Sequence, residues 1–316
     1  MMNINDLVTR YVAFRRTLGE QCIITEKTLQ AFCRAIGPQT PVAQIRLKTV
    51  AAYLAGSGPI TRYWHFKHSA LKGLFQFAVS RGLLKKAPLP TEVPKCPPTL
   101  VPYIYSRPEI RRLLDAIPFF RRPDIRVEPQ TLRGMLLLLY GAGLRRGEAL
   151  RLSIADVDLA NSLLTIRNTK FYKSRLVPIG ADLTRVLHDY ARWRTVAHPS
   201  VGANSTFFVD KRGEAVHRCA LDNAFKRLRK YAGVRRSDGG RFQPRLHDLR
   251  HTFAVHRLTE WYRQGANVQR LVYHLSVYLG HVGLRDTQVY LTMVPELLQQ
   301  AGTRFERYAC KEDGHA

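Results

Sequence analysis

The sequence predicts a mainly α-helical protein with a small antiparallel β-sheet, split into two domains, and three observations carry that expectation. Apolar residues recur at helical spacing over most of the chain. One stretch, SLLTIRNTKFYKSRLVPIG, alternates instead as two short strands around a turn at 168–173. Seven of the 17 prolines fall between Pro88 and Pro108, where each removes a backbone donor and holds its predecessor extended. That Pro-rich stretch marks a linker over 91–105, between a helical domain at 1–90 and a larger one at 106–316.

In the first domain, Leu7, Tyr11, Phe14 and Leu18 line one helix face, and Leu71, Leu74, Phe75, Ala78 and Val79 line another, as in a small bundle. The second of these helices interleaves Arg62, His65, Lys67, His68 and Lys72 with Tyr63, Trp64 and Phe66. Arg62, Lys67 and Lys72 are candidate phosphate contacts there, the alternative being a core face with a solvated basic face. Past the linker, Ser106, Pro108 and Glu109 stand in helix-start order before Ile110, Leu113, Leu114 and Ile117. A buried helix follows around Leu132 to Tyr140, then the two strands, and TFFVDKRGEAV reads as a further hairpin. Helices return at Cys219 to Tyr231 and dominate the rest. At the end, Leu297, Leu298, Ala301, Phe305 and Tyr308 form an apolar helical stripe that must be covered, either in cis or by a neighbouring protomer.

The chain of 316 residues holds 50 Lys+Arg against 24 Asp+Glu, a formal charge of +26. Solubility needs only a few units of net charge, so this excess points to a polyanionic partner, above all nucleic acid. Both domains share it, since residues 1–90 carry 13 basic and 3 acidic residues. The longest apolar run, Met135 to Tyr140, is too short for a membrane span, and no signal-peptide core is present, so a cytoplasmic protein, nucleoid-associated when bound to DNA, is expected. Five scattered cysteines without a CxxC pair suggest neither a disulfide framework nor a zinc cage.

Four separated motifs place cations and proton carriers where a phosphate reaction needs them. In GAGLRRGEALRL, Glu148 lies one turn after Arg145 and can hold its guanidinium. In NTKFYKSRLVPI, Lys170 sits in the turn, with Lys173 and Arg175 as candidate phosphate contacts. In PRLHDLRHTFA, His247 and Arg250 share a helix face, whereas His251 and His256 read as structural. In YLGHVGLRDTQVYLTM, Gly280 and Gly283 break the helix so that His281 sits on a turn, and Asp286 can cap a new helix carrying Tyr290.

Taken together and in order, the motifs resemble the tyrosine recombinase family, also called the phage integrase family, over residues 106 to 308. The family pattern is an Arg in a GLR-x-x-E helix, a Lys in a β-hairpin, H-x-x-R, then L-G-H and a nucleophilic Tyr. It is matched at Arg145 with Glu148, Lys170, His247, Arg250, His281 and Tyr290. Ala142 stands where many members carry Thr, and the stretch between Arg250 and His281 is longer than usual. The resemblance implies an N-terminal helical core-binding domain and a C-terminal tyrosine recombinase catalytic domain acting on double-stranded DNA at a specific recombination site. It implies a homotetramer on paired sites, which related recombinases could join, and a 3′-phosphotyrosyl intermediate exchanged through a Holliday junction. The ending YLTMVPELLQQAGTRFERYA is similar to recombinases of transposons and other mobile elements.

These residue types suit that chemistry. A tyrosine oxygen serves as both nucleophile and leaving group, and two guanidiniums, Arg145 and Arg250, offer paired donors to the charge developing on phosphorus oxygens. Lys170 can protonate the departing 5′-oxygen, while His247 and His281 donate to phosphoryl oxygens or help deprotonate Tyr290. No metal or other cofactor is called for. Two alternatives stay open: relaxation without exchange, as in a type IB topoisomerase, and a non-catalytic DNA-binding accessory protein.

Overall fold

The computed structural model describes residues 2–97, 101–120, 124–167, 174–199, 202–240, 242–281, 283–292, 299 and 302–303. Contacts divide the chain near residue 100 into two compact units. The first holds four helices: α1 (Ile4–Thr17), α2 (Ile23–Ile36), α3 (Leu47–Ala55) and α4 (Arg62–Ser80). Their apolar faces meet in a core that includes Ile4, Leu7, Tyr11, Leu29, Phe32, Leu54, Leu71, Leu74, Phe75 and Ala78. The stripe expected on α1 ends one turn early. Leu18 lies beyond the last helical residue and is 58 % exposed, because the chain turns off at Gly19, and Phe14 covers itself only partly by stacking on Phe77 at 5.3 Å.

The second unit begins inside what the sequence assigns to the linker. Tyr105 is fully buried; its backbone N–H donates to Thr252 Oγ1 at 3.0 Å and its hydroxyl to the Arg245 carbonyl at 3.0 Å. Tyr103 donates to Glu109. Proline content marks an extended path here but says nothing about which neighbours that path meets.

The elements after the linker are α5 (Arg107–Ala116), α6 (Pro129–Gly141), α7 (Arg146–Leu150), β1 (Val157–Asp158), β2 (Leu163–Ile166) and β3 (Arg175–Pro178). There follow α8 (Ala181–Ala197), α9 (Arg218–Tyr231), α10 (Asp248–Arg263), α11 (Val268–Leu279), α12 (Arg285–Gln288) and a 3₁₀ turn at Val289–Thr292. Ser106 and Glu109 cap α5 reciprocally, as their spacing predicts. The three strands form one antiparallel sheet in sequence order, with Leu164 opposite Val177 and Ile166 opposite Arg175. Helix α6 is the hub: Leu132, Met135, Leu138 and Leu139 are buried, and α8 and α10 pack against it. A fold that is mainly helical with one small sheet is what the sequence predicts.

The hairpin expected at 206–216 is reduced to a tight turn, in which the Asp210 N–H donates to the Glu214 carbonyl at 2.8 Å. Only a single bridge joins Val209 to Ala215. Phe207 and Phe208 are both buried, which breaks the alternation a half-buried strand needs, and the segment bonds instead to the backbone after α7, where the Phe207 N–H donates to Leu152 O at 2.7 Å, and to side chains. Tyr190 accepts from the Val209 N–H at 3.0 Å, Thr131 donates to the Val209 carbonyl at 2.8 Å, and Arg194 donates to the Thr206 carbonyl at 2.8 Å. Among the described residues no helix is long and apolar enough to cross a membrane.

Candidate active site

A helix leaves its last carbonyls without partners and concentrates partial negative charge at its C-terminal end. In α11 those carbonyls are taken by arginines from three other elements. Arg175 of β3 donates through Nε to Tyr278 O at 3.1 Å, Arg250 of α10 to Leu279 O at 2.7 Å, and Arg145, preceding α7, to Gly280 O at 2.8 Å. Gly280 ends the helix in the left-handed conformation at φ 68°, and a Cβ there would meet the Arg175 guanidinium at 2.7 Å.

Glu148 ties this cluster together. Its oxygens accept from Arg175 at 3.0 and 2.9 Å, from Arg145 Nη1 at 2.9 Å, and from the Arg145 backbone N–H at 2.9 Å. Burial alone would raise its carboxyl, but the hydrogen bonds and charge of Arg175, with Arg145 beside it, outweigh that and hold it at about 2. Arg250 is 2 % exposed and gives its other nitrogen to Gly143 O at 2.6 Å. Burial, and then the charge of Arg145, lower it to about 10. Gly143, at φ 59°, allows that approach: a Cβ would stand 2.4 Å from Phe253.

Tyr290 lies on the 3₁₀ turn after α12, 3 % exposed, in the apolar cluster of Phe253, Leu258, Val272, Leu275 and Leu279. Burial raises its phenol, while the charge of Arg250, a hydrogen bond from Arg250 and the charge of Arg145 work in the other direction. His281 stacks beside it, ring centroids 6.2 Å apart, and its Nδ1 is 2.7 Å from the buried Thr287 hydroxyl. With that hydroxyl donating, Nε2 carries the proton and is left as a donor. Burial, followed by Arg250 and Arg145, lowers His281 to about 4. His247 precedes α10, whose first turn Asp248 holds by accepting from Arg245 at 2.7 and 2.8 Å. Surrounding atoms and the Arg250 charge lower His247 to about 4, although water at its exposed face screens part of that shift.

The structure therefore brings Arg145, Glu148, Arg250, His281 and Tyr290 together, with His247 on the turn before Arg250. Lys170 and Lys173 lie outside the described residues, as do all five residues of the C-terminal stripe. Three expectations need correction. Arg175 is not a surface phosphate contact: its side chain is largely buried against Glu148 and the end of α11. Lys67 is engaged as well, its ammonium donating to Tyr53 O at 3.1 Å and Leu54 O at 3.2 Å at the end of α3. Arg62, which donates to Pro97 O, and Lys72 are exposed on α4. Asp286 does not cap α12 but sits exposed in its first turn.

Two residues were missed. Thr287 orients His281, and His251, read from the sequence as structural, has Nδ1 3.1 Å from the Tyr290 hydroxyl. The available signal was the i, i+4 spacing of His247 and His251 across one helical turn. His256 does keep a structural partner, the Tyr140 hydroxyl at 3.0 Å. Among the described residues no group of three or more His, Cys, Asp or Glu side chains is arranged to hold a metal ion.

A sequence model of the phage integrase family matches residues 107–296. The chain is 34% identical over 301 residues, 95% of each chain, to the integrase/recombinase y4rE of Sinorhizobium fredii. It is 31% identical over 265 residues, 84% of this chain and 81% of the other, to the tyrosine recombinase XerA of Pyrococcus furiosus. Among solved structures, the Tn1549 transposon integrase in complex with transposon right end DNA shares the fold at a TM-score of 0.69 and 18% identity, covering 98% of this chain and 100% of that one. A lambda integrase tetramer bound to a Holliday junction does so at 0.63 and 18%, over 92% and 77%. With the family motifs in order along the chain and a full-length relative above 30% identity, this chain belongs to the phage integrase family of tyrosine recombinases, which are site-specific DNA recombinase enzymes.

Proposed function

We propose that this recombinase cleaves and rejoins duplex DNA through a 3′-phosphotyrosyl linkage at Tyr290, in the service of a mobile element. The observation that carries the reading is the gathering of Arg145, Arg250 and His281 around the buried Tyr290 from three separate stretches of sequence. As the phenol oxygen attacks, charge grows on the non-bridging oxygens, and donors already fixed in place stabilise it without reorganising. Arg145 retains unspent N–H donors on a guanidinium that is 39% exposed, and is the one assigned to meet the phosphate from the open side. His281 contributes Nε2–H, and Lys170 the proton for the departing 5′-oxygen.

The mobile-element role is supported by resemblance to a transposon integrase fold and by full-length similarity to an integrase/recombinase. The partner is a specific duplex site, bound by a tetramer in which the stripe from Leu297 to Tyr308 docks on the neighbouring protomer; docking in cis is the competing outcome, and deletion of 297–316 that leaves synapsis intact would favour it.

Tyr290→Phe tests the central assignment. On a nicked suicide duplex it is expected to form no denaturant-resistant adduct while gel shifts show near-normal binding, since only the attacking oxygen is lost. An adduct from the Phe variant would name a different nucleophile. For Lys170→Ala, a sulfur at the scissile 5′-bridging position should recover much of the lost rate, because a thiolate leaves without a proton.

A further inference from the structure

Attack on phosphorus requires the Tyr290 phenol to lose a proton, and burial makes that proton harder to remove than in water. The neighbouring guanidiniums favour the phenolate but carry only donors, so they cannot receive the proton. Among the described residues, one proton acceptor touches the hydroxyl. Nδ1 of His251 lies 3.1 Å from it, with ring centroids 5.6 Å apart. By contrast, His281 has Nδ1 committed to Thr287 and lies alongside the Tyr290 ring, and His247 presents its ring to His251 at 5.0 Å. We propose that His251 is the proton acceptor for Tyr290, an inference that rests on Tyr290 being the nucleophile.

With its own proton on Nε2, His251 offers Nδ1 as the acceptor. The phenol oxygen bonds to phosphorus, the bond from phosphorus to the 5′-oxygen breaks, the phenol proton passes to Nδ1, and the 5′-oxygen leaves as a hydroxyl with a proton from the general acid assigned to Lys170. In rejoining, an incoming 5′-hydroxyl gives its proton to the now neutral Lys170 amine and bonds to phosphorus, the bond from phosphorus to the tyrosine oxygen breaks, and the imidazolium returns its proton to that oxygen. The groups facing His251 are His247, Asp248, Arg245 and Arg250 from its own segment, and Tyr290 from the turn after α12. Burial, and after it His247, lower His251 to about 4, so the ring is neutral and able to accept at neutral pH. A scissile phosphate in the site adds negative charge that stabilises the imidazolium once it has formed.

The test is single-turnover adduct formation on the nicked suicide duplex at saturating protein, comparing wild type with His251→Ala, His251→Asn and Tyr290→Phe. Asparagine fills similar space and can still accept a hydrogen bond from the phenol, but it cannot take the proton. Both His251 variants are expected to bind duplex normally in gel shifts and to form adduct about 100-fold more slowly or worse. Their rates should climb with pH where wild type is flat, as hydroxide replaces the imidazole. A fluorinated tyrosine at 290, with a more acidic phenol, should recover part of the rate lost in His251→Ala. A wild-type rate in His251→Asn would reduce the residue to positioning Tyr290, and an unchanged pH profile without recovery by fluorotyrosine would make it structural; either overturns the proposal. Should His251→Ala fail to melt cooperatively, His251→Asn carries the comparison, including the fluorotyrosine arm. An adduct from Tyr290→Phe sinks the nucleophile assignment and this one with it, whereas no adduct from Tyr290→Phe with normal cleavage by the His251 variants sinks only this one.

Discussion

The two sides of the site are built differently. The guanidiniums of Arg145, Arg175 and Arg250 are held by the end of the twelve-residue helix α11, by Glu148 and by Gly143 O, all parts of the packed second unit. Tyr290 instead rides on a four-residue helix and a four-residue 3₁₀ turn, segments too short to be stable alone, and is kept in place by apolar packing and imidazoles. The difference teaches that the electrostatic half of the site also stabilises the fold, so its loss should register in melting as well as in cleavage, whereas loss of the phenol oxygen should register in cleavage alone.

The comparison breaks most visibly at Arg250. Arg250→Ala is expected to lower cleavage by about 10²–10³-fold, as for removal of a fixed transition-state donor, and to leave two buried carbonyls unsatisfied at about 1–3 kcal/mol each. A thermal melt beside the adduct assay checks both, and an undiminished melting temperature would deny the dual role. Glu148→Ala comes next, at about 3–5 kcal/mol, because it strands the buried Arg175 beside Arg145. The same carboxylate carries a pH signature. Held at about 2 against an ordinary 4.5, it stabilises fully above the ordinary value, and that contribution, on the order of 3 kcal/mol, is lost as pH falls toward 2.

A second acid effect sets in earlier, on the tyrosine side. His251 and His281 are lowered to about 4 from 6.5, so the unfolded chain takes up their protons first. Stability is expected to be intact above about pH 6.5 and to decline as pH drops toward 4, with a shallower decline in His281→Asn; a flat melting temperature between those limits would contradict the burial of these rings. The smallest change expected is in the first unit. Lys67→Met should lower the melting temperature slightly by uncapping α3, while the slope of affinity against salt stays as in wild type; a slope reduced by about one would return Lys67 to the phosphate contacts.

The sequence by itself determined what depends on near neighbours along the chain. The Ser106–Glu109 cap, the apolar run of α6, the two strands flanking 168–173 and the Arg145–Glu148 pair are all separated by about one helical turn or one hairpin, so local periodicity and turn chemistry specify them. Motif order went further and named Tyr290, Arg250 and His281 as candidates. Only the tertiary structure decided which donor meets which acceptor. Arg145 reaches Gly280 across 135 residues, Arg250 reaches Gly143 across 107, and Tyr105 meets Thr252 across 147. A basic residue reads the same in sequence whether its charge is spent on a phosphate, as expected of Arg175 and Lys67, or on the carbonyls ending a helix, as found. The reason is physical: a helix end creates unpaired carbonyls wherever packing happens to leave them, and long side chains from distant segments are drawn to satisfy them. For His251, the turn of helix shared with His247 was legible; that the Tyr290 hydroxyl would arrive beside it, from 39 residues further on, was decided by the packing of α10 against α11 and the turn beyond α12.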